Sequence, residues 1–496
     1  MLSNHRLYAS YTCWLIRRKT ATLVYSAGRK SPYFAQQFKP NLNTTKMASS
    51  NSIQDVPKST RDKVHRYLTI EVPYEVCKTI NADAPAELDL TRPEYELMVR
   101  GCADLILKVC PERTRLEALR ERLVSEKKSW KYFTHLAVIL AVSKSIVNSM
   151  RSQNVHFTCT FAVYGETRRI LTKAEDPNGE DFLRTKNNQL NWLTENAPSV
   201  SWGILVVDDG CPDNSGQVCA DNAAKFGFAE KVEVIRLQDG IDQGVDVVVK
   251  GTPITKTSES RKGGSIHYAL NYAAAKDVGG KKHVVCYTDA DLSTHMGQSG
   301  LLLDIICNQG KSCAVGSRRA HNAIMEKSGG RAVRGKLHAY FWKQMMPEMV
   351  HIIDTQTAFK AFDAEAAQKV TQDGLINRAM AFDIELLIKT ATNFGGDSLG
   401  QAGIAWKDSE ALSTSGDSSG YVKLLQQMVD IYRNYLTQEP WREEFGNFIY
   451  QLEDDSFERL LKNCPPGIAE RDAADYKSPD IVSVAELSEA CGISKK

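Results

Sequence analysis

The chain has 496 residues, with 62 Lys and Arg against 60 Asp and Glu, a formal net charge of +2. That length accommodates one large catalytic domain with additions, or two to three domains. A charge so near balance gives no global sign of nucleic acid, and no apolar run is long enough for a membrane span, the best being Leu136–Val142, soon followed by Lys144.

Charge is unevenly spread. The first acid is Asp55, and eight bases precede it: Arg6, Arg17, Arg18, Lys19, Arg29, Lys30, Lys39 and Lys46. A leader over residues 1–55, free of acids as far as residue 54, predicts a targeting segment for organelle import, a disordered tail, or sequence ahead of a later start at Met47. The twelve cysteines stand singly, with no Cys-x-x-Cys pair and no zinc spacing. They suit a reduced compartment. The expected location is cytoplasmic or peripheral on the cytosolic face of a membrane, unless the leader directs import.

Residues 56–154 predict a helical N-terminal extension. Leu97, Met98, Cys102, Leu105, Ile106 and Val109 recur at three-to-four spacing, and the pattern resumes after Pro111. Over 155–435 short β-rich runs alternate with helical ones. Strands are expected at Phe157–Tyr164, Trp202–Val207, Lys231–Leu237, His283–Thr288 and Ser312–Ser317. This order predicts an α/β fold whose mostly parallel sheet is covered on both faces. Val245–Val249 suggests a small hairpin in a long loop before Arg261. After Ser317 the sequence is helix-rich, with a strand near Ala402–Trp406 and a flexible loop over Ser413–Gly420. Residues 436–496 read as a helical, polar tail, loosely held beyond about 465.

Parallel sheets bind ligands beyond the carboxyl ends of their strands. Those ends here are Tyr164-Gly165-Glu166, Asp208-Asp209-Gly210, Asp289-Ala290-Asp291 and Ser317-Arg318-Arg319. Asp289 and Asp291 are two residues apart, roughly 6–7 Å in extended chain. One could ligate a cation directly and the other act through water or a sugar hydroxyl; hard oxygens select Mg²⁺ or Mn²⁺, which also accept phosphate oxygens. Alone, such a pair is more often a solvated turn, and Asp-Gly is an ordinary turn. Lys262-Gly263-Gly264-Ser265 reads as a capped loop before a helix beginning near Ile266. It could also neighbour a diphosphate, through free N–H groups, the helix dipole and the lysine. Together these ends suit one nucleotide-diphosphate ligand. His267, His283, His295 and His321 lack zinc spacing; His295 could approach a metal, or simply lie on the surface.

The order of these motifs resembles the family 2 glycosyltransferases of the GT-A fold. Val163-Tyr164-Gly165-Glu166 is close to that family's opening V-x-Y-N-E stretch, with Gly for Asn, and Val206–Asp213 to its V-V-D-D-G-S-x-D, with Cys211 for Ser. Lys262–Ser265 and Asp289–Asp291 match its K-G-G-A and D-A-D. Within the family, "YTDADLST", "GSRRAHN", "DTQTAFKAF" and "AFDIELL" are most similar to the dolichyl-phosphate β-glucosyltransferases.

The resemblance covers about residues 155–435 and implies an inverting transfer of a hexose, glucose from UDP-glucose, to a polyprenyl phosphate at a membrane surface. It implies donor contacts from Tyr164, Glu166, Asp208, Asp209, Lys262, Gly263, Asp289 and Arg318, with Asp289 and Asp291 holding the metal. Arg319, Arg331 and Arg334 would face phosphate. Asp354, Asp383 and Glu385 would lie near the acceptor. A hydroxyl acceptor would need a base, Asp354 or Asp383; an ionised phosphate needs none. A soluble hydroxyl or phosphate acceptor, a sugar-phosphate nucleotidyltransferase and a catalytically degenerate nucleotide-sugar binder are the competing expectations.

Overall fold

Strand β1 (Val155–Val163) shows how the sequence builds the sheet. Its alternate residues Phe157, Cys159 and Phe161 enter one apolar core. On β2 (Val200–Asp208) and β4 (Lys282–Tyr287), Ile204, Val206, Val284 and Cys286 join that same core, while Leu205, Val207, Val285 and Tyr287 enter a second core on the opposite face. Period-two alternation between two apolar faces is the mark of a sheet covered on both sides. The computed structural model describes residues 71–326, 332–408, 418–477 and 482–493, and these belong to one unit.

With β3 (Val232–Arg236), β5 (Cys313–Ser317), β7 (Lys360–Asp363) and β8 (Leu399–Gly403), the sheet has seven strands in the order β3-β2-β1-β4-β7-β5-β8. β7 runs antiparallel to both neighbours, and every other pairing is parallel. The mostly parallel, doubly covered sheet is the one the alternation predicts. β6 (Ile324–Glu326) and β9 (Ala405–Lys407) form a separate parallel pair. The strand expected near Ala402–Trp406 is thus two strands, because the chain leaves the large sheet after Gly403.

Four helices cover one face: α1 (Val72–Asp83), α2 (Pro93–Val109), α3 (Arg113–Ser125) and α4 (Tyr132–Ser149). α4 is buried continuously from Phe133 to Val147, which explains why its sequence is apolar nearly all round. Among the described residues no helix is long and apolar enough to cross a membrane. Arg113 holds Asp304 bidentately at 2.6 and 2.7 Å, and Arg120 donates to the Gly403 carbonyl at 2.6 Å, fixing α3 against the sheet's far side. The same face receives α5 (Phe182–Thr194), whose Phe182 meets Phe161 edge-on at 5.7 Å. Each such buried ring contributes about 1.5–3 kcal/mol.

Three local expectations change. Val245–Val249 is no hairpin: Asp246–Val249 is a helical turn, with Val247 and Val248 buried in the second core. Beyond residue 465, Tyr476, Val482, Leu487 and Cys491 are buried in that core, so this tail is packed where apolar residues punctuate its polar sequence. The leader 1–55 and Ser413–Asp417 of the expected loop lie outside the described residues, while Ser418 already opens the helix α6 (Ser418–Tyr435).

Candidate active site

Register brings the motif-bearing strand ends together. Val163 pairs with Asp208 and Thr160 with Tyr287, so β1, β2 and β4 finish at one edge. β4 and β5 are both antiparallel to β7, which points their ends the same way. Tyr164 stands 61% exposed at the tip of β1. Beside it the Glu166 amide donates to Ser215 Oγ at 2.8 Å, and the Glu166 carboxylate accepts from Arg169 Nη1 at 2.9 Å. Burial raises the pKa of Glu166, with the Arg169 charge opposing.

The two acids ending β2 have different tasks. Asp208 accepts from the amides of Cys211 at 2.8 Å and Gly216 at 3.1 Å, and so shapes the loop between them. Asp209 turns inward. It accepts from Ser265 Oγ and from the Lys262 amide at 3.3 Å, tying β2 to the glycine loop. Burial raises its pKa, although the serine hydroxyls favour the charged form.

That loop differs from expectation. The helix α7 (Gly263–Ala274) begins three residues before Ile266, so Ser265 lies in its first turn and bonds Ser260 and Asp209 instead of capping it. The first amides are already used. Gly263 donates to the Arg378 carbonyl at 3.1 Å, Gly264 to the Ser260 carbonyl at 3.0 Å and Ser265 to Ser260 Oγ at 3.0 Å. The loop therefore offers the Lys262 ammonium and a dipole end, not free N–H groups. Arg261 and Lys262 both have positive φ, 51° and 73°, an unfavourable conformation for residues bearing a Cβ. Gly263 is required by close approach: a Cβ there would lie 2.8 Å from Phe382 Cβ and against the Arg378 carbonyl. Gly263→Ala is accordingly expected to destabilise the fold by about 1–3 kcal/mol, read as a lowered thermal midpoint.

Asp289 is ion-paired with the Lys262 ammonium, so the glycine loop and the Asp-Ala-Asp turn are in contact. Burial alone would raise the pKa of Asp289; Lys262 outweighs it and holds the carboxyl below its ordinary value. Asp291 Oδ1 accepts from the Ser293 amide at 3.0 Å and hydroxyl at 2.6 Å, leaving Oδ2 with Arg169 Nη2 at 3.7 Å. Arg169 also pairs with Glu180 at 2.9 Å. Lys186 of α5 is wholly buried, 6.0 Å from the centroid of the Phe161 ring, and its Nζ has no hydrogen-bond partner among the described residues. Sequence spacing contains a signal for it: Lys186 sits four residues from both Phe182 and Leu190, on the apolar stripe of its helix.

No cluster of three or more His, Cys, Asp or Glu among the described residues is arranged for a metal. Asp289 and Asp291 nonetheless fit a hard divalent cation that takes its remaining ligands from water and phosphate, because both are solvent-reachable carboxylates on one turn. His295 stays away from them. It is fully buried, its Nδ1 accepting from the Gly297 amide at 2.9 Å and its Nε2 facing Glu96 at 3.5 Å.

On the acceptor side, Asp354 is 2% exposed and receives Arg318 through the amide at 2.9 Å, Nε at 2.7 Å and Nη2 at 2.8 Å. Arg318 is therefore committed to Asp354 and stacks 5.3 Å over Trp406. Asp383 accepts from the buried Lys360 ammonium at 2.6 Å and from the Tyr287 hydroxyl. Glu385 departs from its expected place: wholly buried, it accepts from the amides of Ile376 and Asn377 and from Tyr435, each at 2.8 Å, and clamps that loop. Arg334 is only loosely paired, 3.9 Å from Glu458, and lies 5.4 Å over Tyr421. The Arg319 guanidinium lies against Gly335, beside it. Arg331 falls outside the described residues.

No family model matches the chain. A curated dolichyl-phosphate beta-glucosyltransferase of Trichomonas vaginalis is 24% identical over 238 residues, which cover 47% of this chain and 59% of that protein. The chain resembles the dolichyl-phosphate β-glucosyltransferases. It spans about three fifths of the length of this curated relative. Glucosyl-3-phosphoglycerate synthase from Mycobacterium tuberculosis, solved with phosphoglyceric acid, is 12% identical with a TM-score of 0.38, covering 60% of this chain and 85% of that one. The same enzyme solved with Mn²⁺, uridine-diphosphate-glucose and phosphoglyceric acid is 13% identical with a TM-score of 0.38, covering 59% and 84%. These distant likenesses assign nothing to this chain, whereas the dolichyl-phosphate glucosyltransferase resemblance is the one its motifs carry.

Proposed function

We propose that this chain is an inverting glycosyltransferase that moves glucose from UDP-glucose to a polyprenyl phosphate. The observation that carries the proposal is a pair of polar chains that meet at the Asp-Ala-Asp turn: Asp209 to the Lys262 amide and the Lys262 ammonium to Asp289, and Glu166 through Arg169 to Asp291. In this reading Glu166 and Asp209 hold the nucleoside, and Lys262 lies beside the diphosphate with the helix dipole behind it. A Mg²⁺ or Mn²⁺ held by Asp289 and Asp291 would, when bound, supply charge that stabilises the departing diphosphate.

The nature of the acceptor follows from what is left free. A hydroxyl must lose a proton to a base, yet Asp354 is bound to Arg318 and Asp383 to Lys360. Burial would raise the pKa of Asp354, but the Arg318 charge and hydrogen bonds hold it far below the usual carboxylate range, making it a poor base. An ionised phosphate needs no base, and Arg319 and Arg334 would orient it. A polyprenyl phosphate presents its head group at a membrane surface, and the proposal places the chain there peripherally.

The test is a melting-temperature comparison of UDP, GDP and ADP, each with and without Mn²⁺, followed by glucose transfer to a short polyprenyl phosphate. UDP with Mn²⁺ at a hundred times its dissociation constant should stabilise the protein by about 2.7 kcal/mol, raising its midpoint by a few degrees. No response to any of the three refutes the donor site. Binding without transfer favours the degenerate binder, and transfer only to hydroxyl compounds overturns the acceptor.

A further inference from the structure

Gly335 stands on the helix Ala332–Met345 and is buried. Its φ is not positive, so the backbone alone does not call for glycine, and alanine would suit a helix better. Its space is taken instead. A Cβ at this position would meet the Arg319 guanidinium, with Cζ and Nη1 each 3.1 Å away and Nη2 closer still. The three nearest atoms all belong to that one group, so the guanidinium fills the place where a side chain would otherwise stand. Arg319 is fixed from its other end too. Its amide donates to Ser317 Oγ at 3.2 Å and the Ala320 amide to the same oxygen at 3.0 Å, which sets the turn that ends β5. Its neighbour Arg318 is spent on Asp354, whereas the Arg319 guanidinium has no carboxylate partner among the described residues. Arg334, directly before Gly335, is held by Tyr421, whose ring lies under it and whose hydroxyl donates to its carbonyl at 3.4 Å. Two cations thus come to adjacent positions of one helix, one without a counter-charge and the other only loosely paired with Glu458.

We propose that Gly335 is a positioning residue for the acceptor: the space left by its missing side chain is the seat that holds the Arg319 guanidinium in place for the phosphate. This rests on the phosphate acceptor proposed above. A guanidinium binds phosphate through two parallel N–H bonds of a rigid fork, so its placing counts as much as its charge. An arginine free to rotate loses that freedom on binding, and a seated one has already lost much of it. A Cβ at position 335 would displace only the far end of a flexible side chain. The fold can therefore accept it while the guanidinium moves. Gly335 touches no substrate; it acts through Arg319.

The test measures glucose transfer by the full chain from UDP-glucose to a short polyprenyl phosphate, with Mn²⁺ present and the acceptor concentration varied. Gly335→Ala should raise the KM for the acceptor by about tenfold, the worth of one charge-assisted contact. The kcat, the KM for UDP-glucose and the melting midpoint should stay near their wild-type values. Arg319→Ala should raise the acceptor KM as much or more. Added to it, Gly335→Ala should change nothing further, because the group it displaces is already gone. An unchanged acceptor KM in Gly335→Ala overturns the inference. So does a further rise in the double variant, or a joint fall in kcat and melting midpoint, which marks a merely structural glycine. A variant that fails to fold overturns it as well, since something stiffer than a side-chain tip would then fill the space. Arg319→Ala separates the two claims. If it leaves the acceptor KM unchanged, or if the wild type transfers nothing to the phosphate, the acceptor reading of Arg319 fails and this inference with it; if it raises the KM while Gly335→Ala does not, only the role of Gly335 is lost.

Discussion

Asp291→Asn should lower kcat/KM for UDP-glucose turnover by about 10²–10³-fold, the cost of removing one fixed electrostatic stabiliser from a charge-separating reaction. Asparagine keeps the size of the side chain, and its carbonyl oxygen can still accept from the Ser293 amide and hydroxyl that hold Asp291 now. Arg169 retains Glu166 and Glu180. The turn should thus survive while the charge that would hold a cation is gone, and the thermal midpoint should stay within a degree or two of wild type. The rate is measured as UDP released in the presence of Mn²⁺. Turnover within about threefold of wild type would sink the role given to the Asp-Ala-Asp turn, because an effect that small is far below a lost stabiliser of developing charge.

The second large effect is on stability. Asp354→Ala removes the partner of a largely buried guanidinium that makes two contacts to it, the Arg318 amide making a third. Breaking a buried pair from one side costs about 3–5 kcal/mol, because the remaining charge is left without compensation. A urea titration at neutral pH should show the midpoint falling accordingly. The pH dependence has a definite sign. The Asp354 carboxyl has a lower pKa in the folded protein than in the unfolded chain, so its contribution is complete above the unfolded value of about 4. It is lost as pH falls toward the folded value, where both states are protonated. The gap between wild type and variant should therefore shrink on acidification; a gap that widened would contradict the assignment.

The alternation of strands and helices was legible because β1, β2, β3 and β4 are each followed by a helical segment, and the gathering of the candidate motifs at one edge was legible because they lie at strand ends in chain order. β7 was not legible. It has four residues, all but Asp363 fully buried, and no turn signal separates it from the helix that follows. Glu385 shows a different limit. In "DIELL" it is only two residues from Asp383, and nothing local tells a carboxylate that faces a ligand from one that binds the backbone amides of its own loop. The helix start at Gly263 was missed because Ser265 looks like a cap, while the residue that takes that position is Lys262, in a conformation that sequence rarely reveals. Lys186 escaped attention because a lysine among asparagines and glutamines reads as a solvated face.

The place of β7 bears on how the chain assembles. β4 and β5 follow one another in sequence yet never pair; the gap between them is filled by residues 360–363, made some forty residues later. A nascent chain that has emerged only as far as Ser317 thus carries three strand borders still lacking their partners, one on β4 and both of β5, each open to a wrong partner. Closing that gap unites the β3-β2-β1-β4 half with β5 and, later, β8, so a late-made tetrapeptide acts as the keystone of the sheet. Its pairings are distant in sequence, the kind that forms slowly, and chains cut short before Lys360 are expected to aggregate more readily than the full chain.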